Sequence, residues 1–181
     1  MVQRYQDISL LPTIYMDQID TKYAVDYYNL IHHPEVKPFV PSNHVPKNIQ
    51  AAKKELVQQQ QLEHTGKGIY WGIYTPNKLI GTCGLHSFNT LQQSMEISYE
   101  IHPDYTGQGI TTTAVTHCVN YSREHLKNRI KIILAYTLTD NIASQRVAEK
   151  AGFTRHGVLK NNCFYNGVLI DRMLLIYNIK K

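Results

Sequence analysis

The spacing of apolar residues along the chain changes from a helical period to a strand period. In the first third, apolar residues three and four positions apart form stripes, which predicts helices after an N-terminal strand. The first helix spans residues 20–33 with Asp20 placed to cap it, and the second runs from near Pro46 to Glu63. Proline suits a first helical turn because the amide there has no intrahelical acceptor.

Beyond residue 68 the period becomes two, which is typical of strands. Three runs rich in β-branched and aromatic residues follow one another with short turns between them. This pattern predicts an antiparallel meander of three strands, Ile69–Tyr74, Leu79–Phe88 and Met95–His102.

The last seventy residues alternate between the two periods. They predict a helix from Ile110 to about Leu126, a strand at 129–138, a helix at 141–151 closed by Gly152, and a hairpin turning at Asn166-Gly167. The order of elements indicates an α+β fold with one mixed sheet. We expect residues 1–181 to form a single domain.

Composition and charge narrow the possible functions only slightly. The chain is 43% hydrophobic and 18% charged, as ordinary globular proteins are. Its net charge of +5 is spread along the sequence, without the clusters of arginine and aromatic residues that indicate nucleic-acid binding. A polyanionic cofactor or an acidic protein would suit this charge, and so would solubility alone.

Segments that would target or anchor the chain are not evident, so we expect a cytoplasmic protein that does not bind membranes. The N-terminal MVQRYQDISL lacks a signal-peptide core, and no apolar run approaches a membrane span. The cysteines, Cys83, Cys118 and Cys163, have no metal-ligand spacing and are predicted to be free thiols. We expect no metal site.

A glycine pair, Gly107 and Gly109, stands where the third meander strand gives way to a helix, in the stretch DYTGQGITTTAV. The first amides of a helix are unpaired and carry partial positive charge, and glycine lets an anion approach them closely. A phosphate site and an ordinary tight turn both fit the pair. A P-loop is excluded because no lysine follows, and Thr112 stands where a dinucleotide fingerprint needs glycine.

A second motif, TDNIASQRVAEKAGF from Thr139 to Phe153, gives the glycine pair a context. Together with IHPDYTGQGI from Ile101, it resembles the GNAT superfamily of acyl-CoA-dependent N-acetyltransferases. The ending CFYNGVLIDRMLLIYNI is similar to the final hairpin of the RimJ/RimL-type branch, the ribosomal-protein N-acetyltransferases. The resemblance covers residue 78 to the end and implies a single mixed, mostly antiparallel twisted sheet flanked by helices.

The resemblance also implies acetyl-CoA as co-substrate, with main-chain amides of the glycine loop on its pyrophosphate. The implied cofactor-binding residues are Ile101, His102, Gly107, Gln108, Gly109, Ile110, Thr111, Thr112 and Asn141. The chain departs from the family at Thr106, usually Arg or Gln, and at Thr111, usually Gly or Ala. The second departure adds bulk near the phosphates, although its hydroxyl can compensate.

Candidate catalytic groups lie in the third meander strand and in the second motif. Alternation puts Glu96, Ser98 and Glu100 on one face, and we expect Glu96, then Glu100, to act as general base. A solvated or structurally bonded glutamate is the alternative for each. The resemblance implies that Ser144 donates to the departing thiolate, its alternative being a first-turn hydrogen bond, and Tyr136 is a weaker candidate.

The acceptor is expected to be an amine of modest pKa. Some RimL-type enzymes are thought to use a glutamate where this chain has Cys163, so strong base equipment is absent. Deprotonation at pH 7 costs roughly 4–5 kcal/mol for a lysine and only about 1 kcal/mol for an α-amine. A protein N-terminus is therefore expected, with a small-molecule amine acetyltransferase or a non-catalytic acyl-CoA sensor as alternatives. The family also makes a homodimer possible.

Overall fold

The computed structural model describes residues 8–165 and 167–179, which form eight strands and four α-helices. The strands are β1 Ile8–Leu11, β2 Ile14–Gln18, β3 Ile69–Thr75, β4 Lys78–Asn89, β5 Ser94–Ile101, β6 Ile132–Leu138, β7 Thr154–Tyr165 and β8 Val168–Asn178. The helices are α1 Ala24–His32, α2 Ile49–His64, α3 Ile110–Tyr121 and α4 Ile142–Lys150. None of these helices is both long and apolar enough to cross a bilayer.

All eight strands belong to one mixed sheet, in the order β1-β2-β3-β4-β5-β6-β8-β7. Every neighbouring pair is antiparallel except β5 and β6, which are parallel. The predicted fold class and the meander β3-β4-β5 are confirmed. The N-terminus contributes a hairpin of two strands, β1 and β2, where the sequence predicted one strand.

The helices cover the two faces of the sheet in pairs. On one face, which we call the α1/α2 face, Leu30 and Leu56 pack with Leu79 in one buried cluster. On the other, the α3/α4 face, Val115 and Ala148 pack in a larger cluster with the central strands. The alternation of β5 assigns its side chains to these two faces in turn.

Several predicted boundaries shift because local hydrogen bonds decide them. The second helix begins at Ile49 and not near Pro46, since the side chain of Asn48 accepts from the amide of Ala51 at 2.9 Å. Asp20 caps a 3-10 turn, Thr21–Tyr23, that precedes α1. The predicted helix to Leu126 ends as a π-helical turn, Ser122–Leu126, after α3.

The strands β5 and β6 pair over only part of their length. The parallel register runs from Ser94 opposite Ile132 to Ile97 opposite Ala135. Although β5 continues to Ile101 and β6 to Leu138, these last residues do not pair with each other. A wedge-shaped gap therefore opens between the two strands, and we call it the cleft.

The final hairpin confirms the predicted turn as far as the structure describes it. Gly167 has φ +86°, which suits glycine, while Asn166 lies outside the described residues. In β7, three residues between Leu159 and Cys163 oppose one residue of β8, so the strand bulges. The hydroxyl of Tyr165 donates to the carbonyl of Pro38 at 2.7 Å and ties the hairpin to the segment after α1.

Candidate active site

The edge of β5 that borders the cleft carries main-chain groups without a ladder partner. The amide of His102 donates to the carbonyl of Ile80 at 2.7 Å, so the main chain of His102 points toward β4. Because main-chain direction alternates along an antiparallel strand, the groups of Ile101 and Tyr99 point the opposite way, into the cleft. An extended ligand in the cleft can hydrogen-bond to this edge as a strand would.

The N-terminus of α3 lies just beyond the end of β5. The first hydrogen bond of the helix runs from the amide of Thr113 to the carbonyl of Gly109 at 2.9 Å. Among the described residues the amides of Ile110, Thr111 and Thr112 find no acceptor. Three unpaired amides at a positive helix end are the feature that the predicted anion site requires.

Both glycines before α3 adopt a backbone conformation that favours glycine. Gly107 has φ +73° and Gly109 φ +81°, and a Cβ on either would meet nothing within 4 Å. The space outside the loop is therefore open to an approaching phosphate. Gln108 lies between them and donates through Nε2 to the carbonyl of Asp104 at 3.2 Å, which steadies the loop.

The threonines of the loop differ in how their hydroxyls are used. Those of Thr106 and Thr113 donate to carbonyls of their own turns, at 2.8 Å and 3.2 Å. Those of Thr111 and Thr112 make no hydrogen bond to the residues that the structure describes. Both remain available to a ligand at the helix end, so the bulk of Thr111 comes with a hydroxyl that can contribute a bond.

Glu100 lies on the α1/α2 face, in the part of β5 that borders the cleft. Its carboxylate accepts a hydrogen bond from the hydroxyl of Thr82 at 2.7 Å. Burial raises the pKa of this carboxyl from 4.5 to about 7, opposed by the bond from Thr82 and reinforced by the negative charge of Glu55. No Lys, Arg or His among the described residues forms an ion pair with it. It is a carboxyl poised to exchange a proton near neutral pH.

Glu96 lies on the same face but before the cleft, where β5 is paired with Leu134 of β6. Burial raises the pKa of its carboxyl, while Arg172 and a hydrogen bond from Ser87 lower it. The guanidinium of Arg172 also stacks over the ring of Tyr136, 4.4 Å from the centroid. Glu96 and Tyr136 thus belong to a half-buried group of side chains around Arg172.

Ser144 stands at the start of α4, on the opposite face of the sheet. Asn141 caps this helix, as expected, by accepting from the amide of Ser144 at 3.1 Å. The Ser144 hydroxyl donates to the hydroxyl of Tyr99 at 3.0 Å, which in turn donates to the Ser144 carbonyl at 2.9 Å. Burial raises the pKa of Tyr99 to about 12, so the phenol keeps its proton.

Further polar groups surround Glu100 and were not predicted from the sequence. Tyr27 of α1 donates to Glu55 of α2 at 2.9 Å, and the hydroxyls of Tyr70 and Ser98 lie 2.6 Å apart. The negative charge of Glu100 reinforces the burial that raises the pKa values of Tyr27 and Tyr70, which places both rings near its carboxylate. Only the tyrosine content of the first helix and of β3 signals this environment.

The structure places the predicted site residues along the open part of β5 or beside it, except Glu96, which lies where the sheet is closed. Cys163 lies on β7 beyond the bulge, its main chain paired with Ile170. Cys83 and Cys118 are buried with their sulfur atoms 3.4 Å apart, and all three cysteines are free thiols, as expected.

The chain matches known proteins in sequence over most of its length. The acetyltransferase (GNAT) domain family matches residues 14–154. The uncharacterized N-acetyltransferase YoaA of Bacillus subtilis is 35% identical over 117 residues, which is 64% of this chain and 64% of YoaA. The probable N-acetyltransferase YjcK of the same organism is 31% identical over 132 residues, 70% of this chain and 71% of YjcK.

Solved structures share the fold over nearly the whole chain. The ribosomal-protein-S5-alanine acetyltransferase from Vibrio fischeri has a TM-score of 0.84 at 21% identity and covers 98% of both chains. RimL, a ribosomal alpha-N-protein acetyltransferase in complex with coenzyme A, has a TM-score of 0.82 at 19% identity and covers 96% of this chain and 98% of RimL. The self-immunity acetyltransferase MccE, in complex with acetyl-CoA and AMP, has a TM-score of 0.82 at 22% identity and covers 99% of this chain and 100% of MccE.

The cleft, the unpaired amides of α3 and the family match agree with one another. The open glycine loop fits a pyrophosphate, and the free edge of β5 fits an extended arm that leads from it. RimL and MccE, which share this fold, hold coenzyme A and acetyl-CoA. The chain belongs to the GNAT acetyltransferase family.

Proposed function

We propose that the protein transfers an acetyl group from acetyl-CoA to the α-amine of a protein N-terminus, with Glu100 as the general base. The observation that carries the proposal is the Glu100 carboxyl, enclosed on the α1/α2 face beside the cleft and without an ion-pair partner among the described residues. Its raised pKa matches it to an amine that is partly neutral at pH 7.

The pKa difference between donor and acceptor favours an α-amine over a lysine. Moving a proton from an α-ammonium of pKa about 7.8 to a carboxylate of pKa about 7 costs about 1 kcal/mol. From a lysine ammonium of pKa about 10.4 the same transfer costs about 5 kcal/mol. The two amines therefore differ by more than two orders of magnitude in ease of deprotonation, before any contact with the rest of the acceptor.

The two faces of β5 divide the remaining tasks. On the α1/α2 face the acceptor amine approaches Glu100, which takes up the proton released as the carbon–nitrogen bond forms. On the α3/α4 face the Ser144 hydroxyl gives up its bond to Tyr99 and donates that hydrogen to the departing thiolate. Acetyl-CoA supplies the thioester, and the unpaired amides of Ile110, Thr111 and Thr112 hold its pyrophosphate.

Similar proteins support the choice of acceptor. RimL is an alpha-N-protein acetyltransferase, and the protein from Vibrio fischeri acts on the alanine of a ribosomal protein. MccE, of the same fold, is a self-immunity acetyltransferase bound to acetyl-CoA and AMP, so a small-molecule acceptor is the outcome to test against.

A panel of acceptors tests the proposal. Each contains one reactive amine: short peptides with a free N-terminus and no lysine, the same peptides blocked at the N-terminus with one internal lysine, spermidine and glucosamine. We expect product only with free N-termini, at a kcat/KM at least a hundredfold above the blocked peptides, with the acetylated nitrogen identified by mass spectrometry. Preferred acetylation of spermidine, glucosamine or the lysine side chain would overturn the proposed acceptor, and acetyl-CoA binding without turnover would leave a sensor.

A further inference from the structure

Thr137 in β6 carries a buried hydroxyl without a partner. The residue is 6% exposed, and its Oγ1 finds no hydrogen-bond partner among the residues that the structure describes. Buried side-chain hydroxyls in folded proteins nearly always have one, since an unpaired hydroxyl removed from water destabilises the fold. Valine has almost the same shape and would pack among these neighbours without that cost.

Thr137 lies on the part of β6 that borders the cleft. The β5–β6 register ends with Ile97 opposite Ala135, so two residues further Tyr99 and Thr137 face each other across the gap. The burial pattern of β6 puts Thr137 on the same face as Ile133 and Ala135, which pack in the core of the α3/α4 face. Tyr99 lies on that face too, because its hydroxyl bonds to Ser144 of α4.

Neighbouring protein groups leave the hydroxyl of Thr137 available. Its main chain pairs on the other edge of β6 with Met173 of β8, so the backbone is satisfied there. The hydroxyls of Tyr99 and Ser144 are bonded to each other and to the Ser144 carbonyl. Among the hydroxyls of Tyr99, Ser144 and Thr137, that of Thr137 therefore makes no hydrogen bond to the described residues.

The orientation of acetyl-CoA in the cleft determines which part of the cofactor lies beside Thr137. The amides of α3 follow the wide end, beyond Ile101, and hold the phosphates. The arm then runs back along β5 toward the narrow end at Ile97 and Ala135. Thr137 lies two residues, roughly 7 Å, from that narrow end, and so beside the acyl end of the arm.

We propose that the hydroxyl of Thr137 hydrogen-bonds to the pantetheine arm of acetyl-CoA near the thioester and positions the acyl group between β5 and β6. Thr137 acts as a positioning residue. Its hydroxyl has no protein partner because acetyl-CoA supplies that partner when it binds. The proposal uses acetyl-CoA as the acyl donor and is independent of the acceptor and of the base.

The test measures ligand affinity and stability without turnover. Calorimetric Kd values for acetyl-CoA, coenzyme A and adenosine 3′,5′-bisphosphate, which lacks the arm, are compared in the natural protein, Thr137→Val and Thr137→Ser. The control is Thr154→Val on β7. It removes a strand hydroxyl that donates to the carbonyl of Ile176 on β8 at 3.3 Å. Thermal unfolding without ligand accompanies each variant.

We expect Thr137→Val to raise the Kd of acetyl-CoA and coenzyme A by about two- to tenfold, as the loss of one neutral hydrogen bond does. The Kd of adenosine 3′,5′-bisphosphate should stay unchanged, Thr137→Ser should restore affinity for the arm, and the Tm of the free variant should stay level or rise by about 2–4 °C. Unchanged Kd values for acetyl-CoA and coenzyme A, an equal rise for the bisphosphate, or a fall in the Tm of the free Thr137→Val protein would overturn the proposal. Wild-type protein that binds no coenzyme A would overturn the cofactor site as well.

Discussion

Replacing Glu100 with glutamine should stabilise the protein and at the same time remove most of its activity. Burial raises the pKa of the carboxyl from 4.5 to about 7, and no Lys, Arg or His among the described residues pairs with it. Its hydrogen bond from Thr82, at 2.7 Å, offsets only part of the cost of burying the charge. Glutamine keeps an oxygen for that hydroxyl and carries no charge.

The magnitude follows from the two pKa values. The folded protein holds the proton of Glu100 more tightly than the unfolded chain does, so the free energy of unfolding falls as pH rises between about 4.5 and 7. Each pKa unit corresponds to about 1.4 kcal/mol, and the full rise corresponds to about 3 kcal/mol. This destabilisation is absent below pH 4.5, where both states are protonated, and is fully present above pH 7.

Urea unfolding between pH 5 and 8.5 measures the effect. We expect Glu100→Gln to exceed the natural protein in free energy of unfolding by up to about 3 kcal/mol at pH 8, with a difference that shrinks to about 1 kcal/mol at pH 5. Glu124→Gln, a substitution at an exposed residue after α3, is the control and should change little at either pH. A difference that is constant with pH, or a variant less stable than the natural protein at pH 8, would refute the burial argument.

The same variant tests the role of the carboxylate in turnover. Loss of a general base lowers kcat by about 10²–10⁴, while Kd for acetyl-CoA should remain within about twofold. The natural protein should show kcat/KM rising with pH through an apparent pKa near 7, and Glu100→Gln should lack this limb. Full activity in the variant would transfer the role of base to Glu96 or to water.

Three further substitutions have defined outcomes. Thr82→Val removes the hydrogen bond that lowers the pKa of Glu100, so the acid limb of the pH profile of kcat/KM should move to higher pH. If the acid limb does not move, it does not report the ionisation of Glu100. Gly109→Ala must place alanine at φ +81°, which costs about 1–2 kcal/mol in unfolding experiments, and should also weaken binding of adenosine 3′,5′-bisphosphate; unchanged affinity would make the loop only a turn. Ser144→Ala loses a hydrogen bond of about 1 kcal/mol to Tyr99 and should lower kcat more than affinity for acetyl-CoA; an unchanged kcat would leave Ser144 a structural residue.

Sequence patterns were sufficient wherever local chemistry decides the structure. The glycine loop, the cap at Asn141 and the positive φ of Gly152 follow from neighbouring residues, and the structure confirms the cap and the positive φ. The alternation of β5 is equally local, so the shared face of Glu96 and Glu100 was predicted correctly.

Features that depend on the pairing of distant strands could not be predicted from the sequence. Tyr99 and Thr137 border the cleft only because β5 and β6 part after Ile97 and Ala135, and strand pairing between residues so far apart in sequence has no local signal. The sequence ranked Glu96 before Glu100 as general base without knowing where the pairing of β5 and β6 ends. That end point decides which of the two glutamates borders the cleft. The pKa of Glu100 in turn requires the helices that bury it.

In the proposed site one strand, β5, serves both substrates because its side chains alternate between the two faces of the sheet. Its even-numbered side chains, Ser98 and Glu100, point to the α1/α2 face, while Tyr99 points to α4 and the main chain of the odd-numbered residues opens toward the cleft. A slip of one residue would exchange Glu100 with Tyr99 and leave the acceptor face without its carboxylate. The register is therefore part of the proposed site, and the buried cores on both faces of β5, which fix that register, would contribute to catalysis as well as to stability.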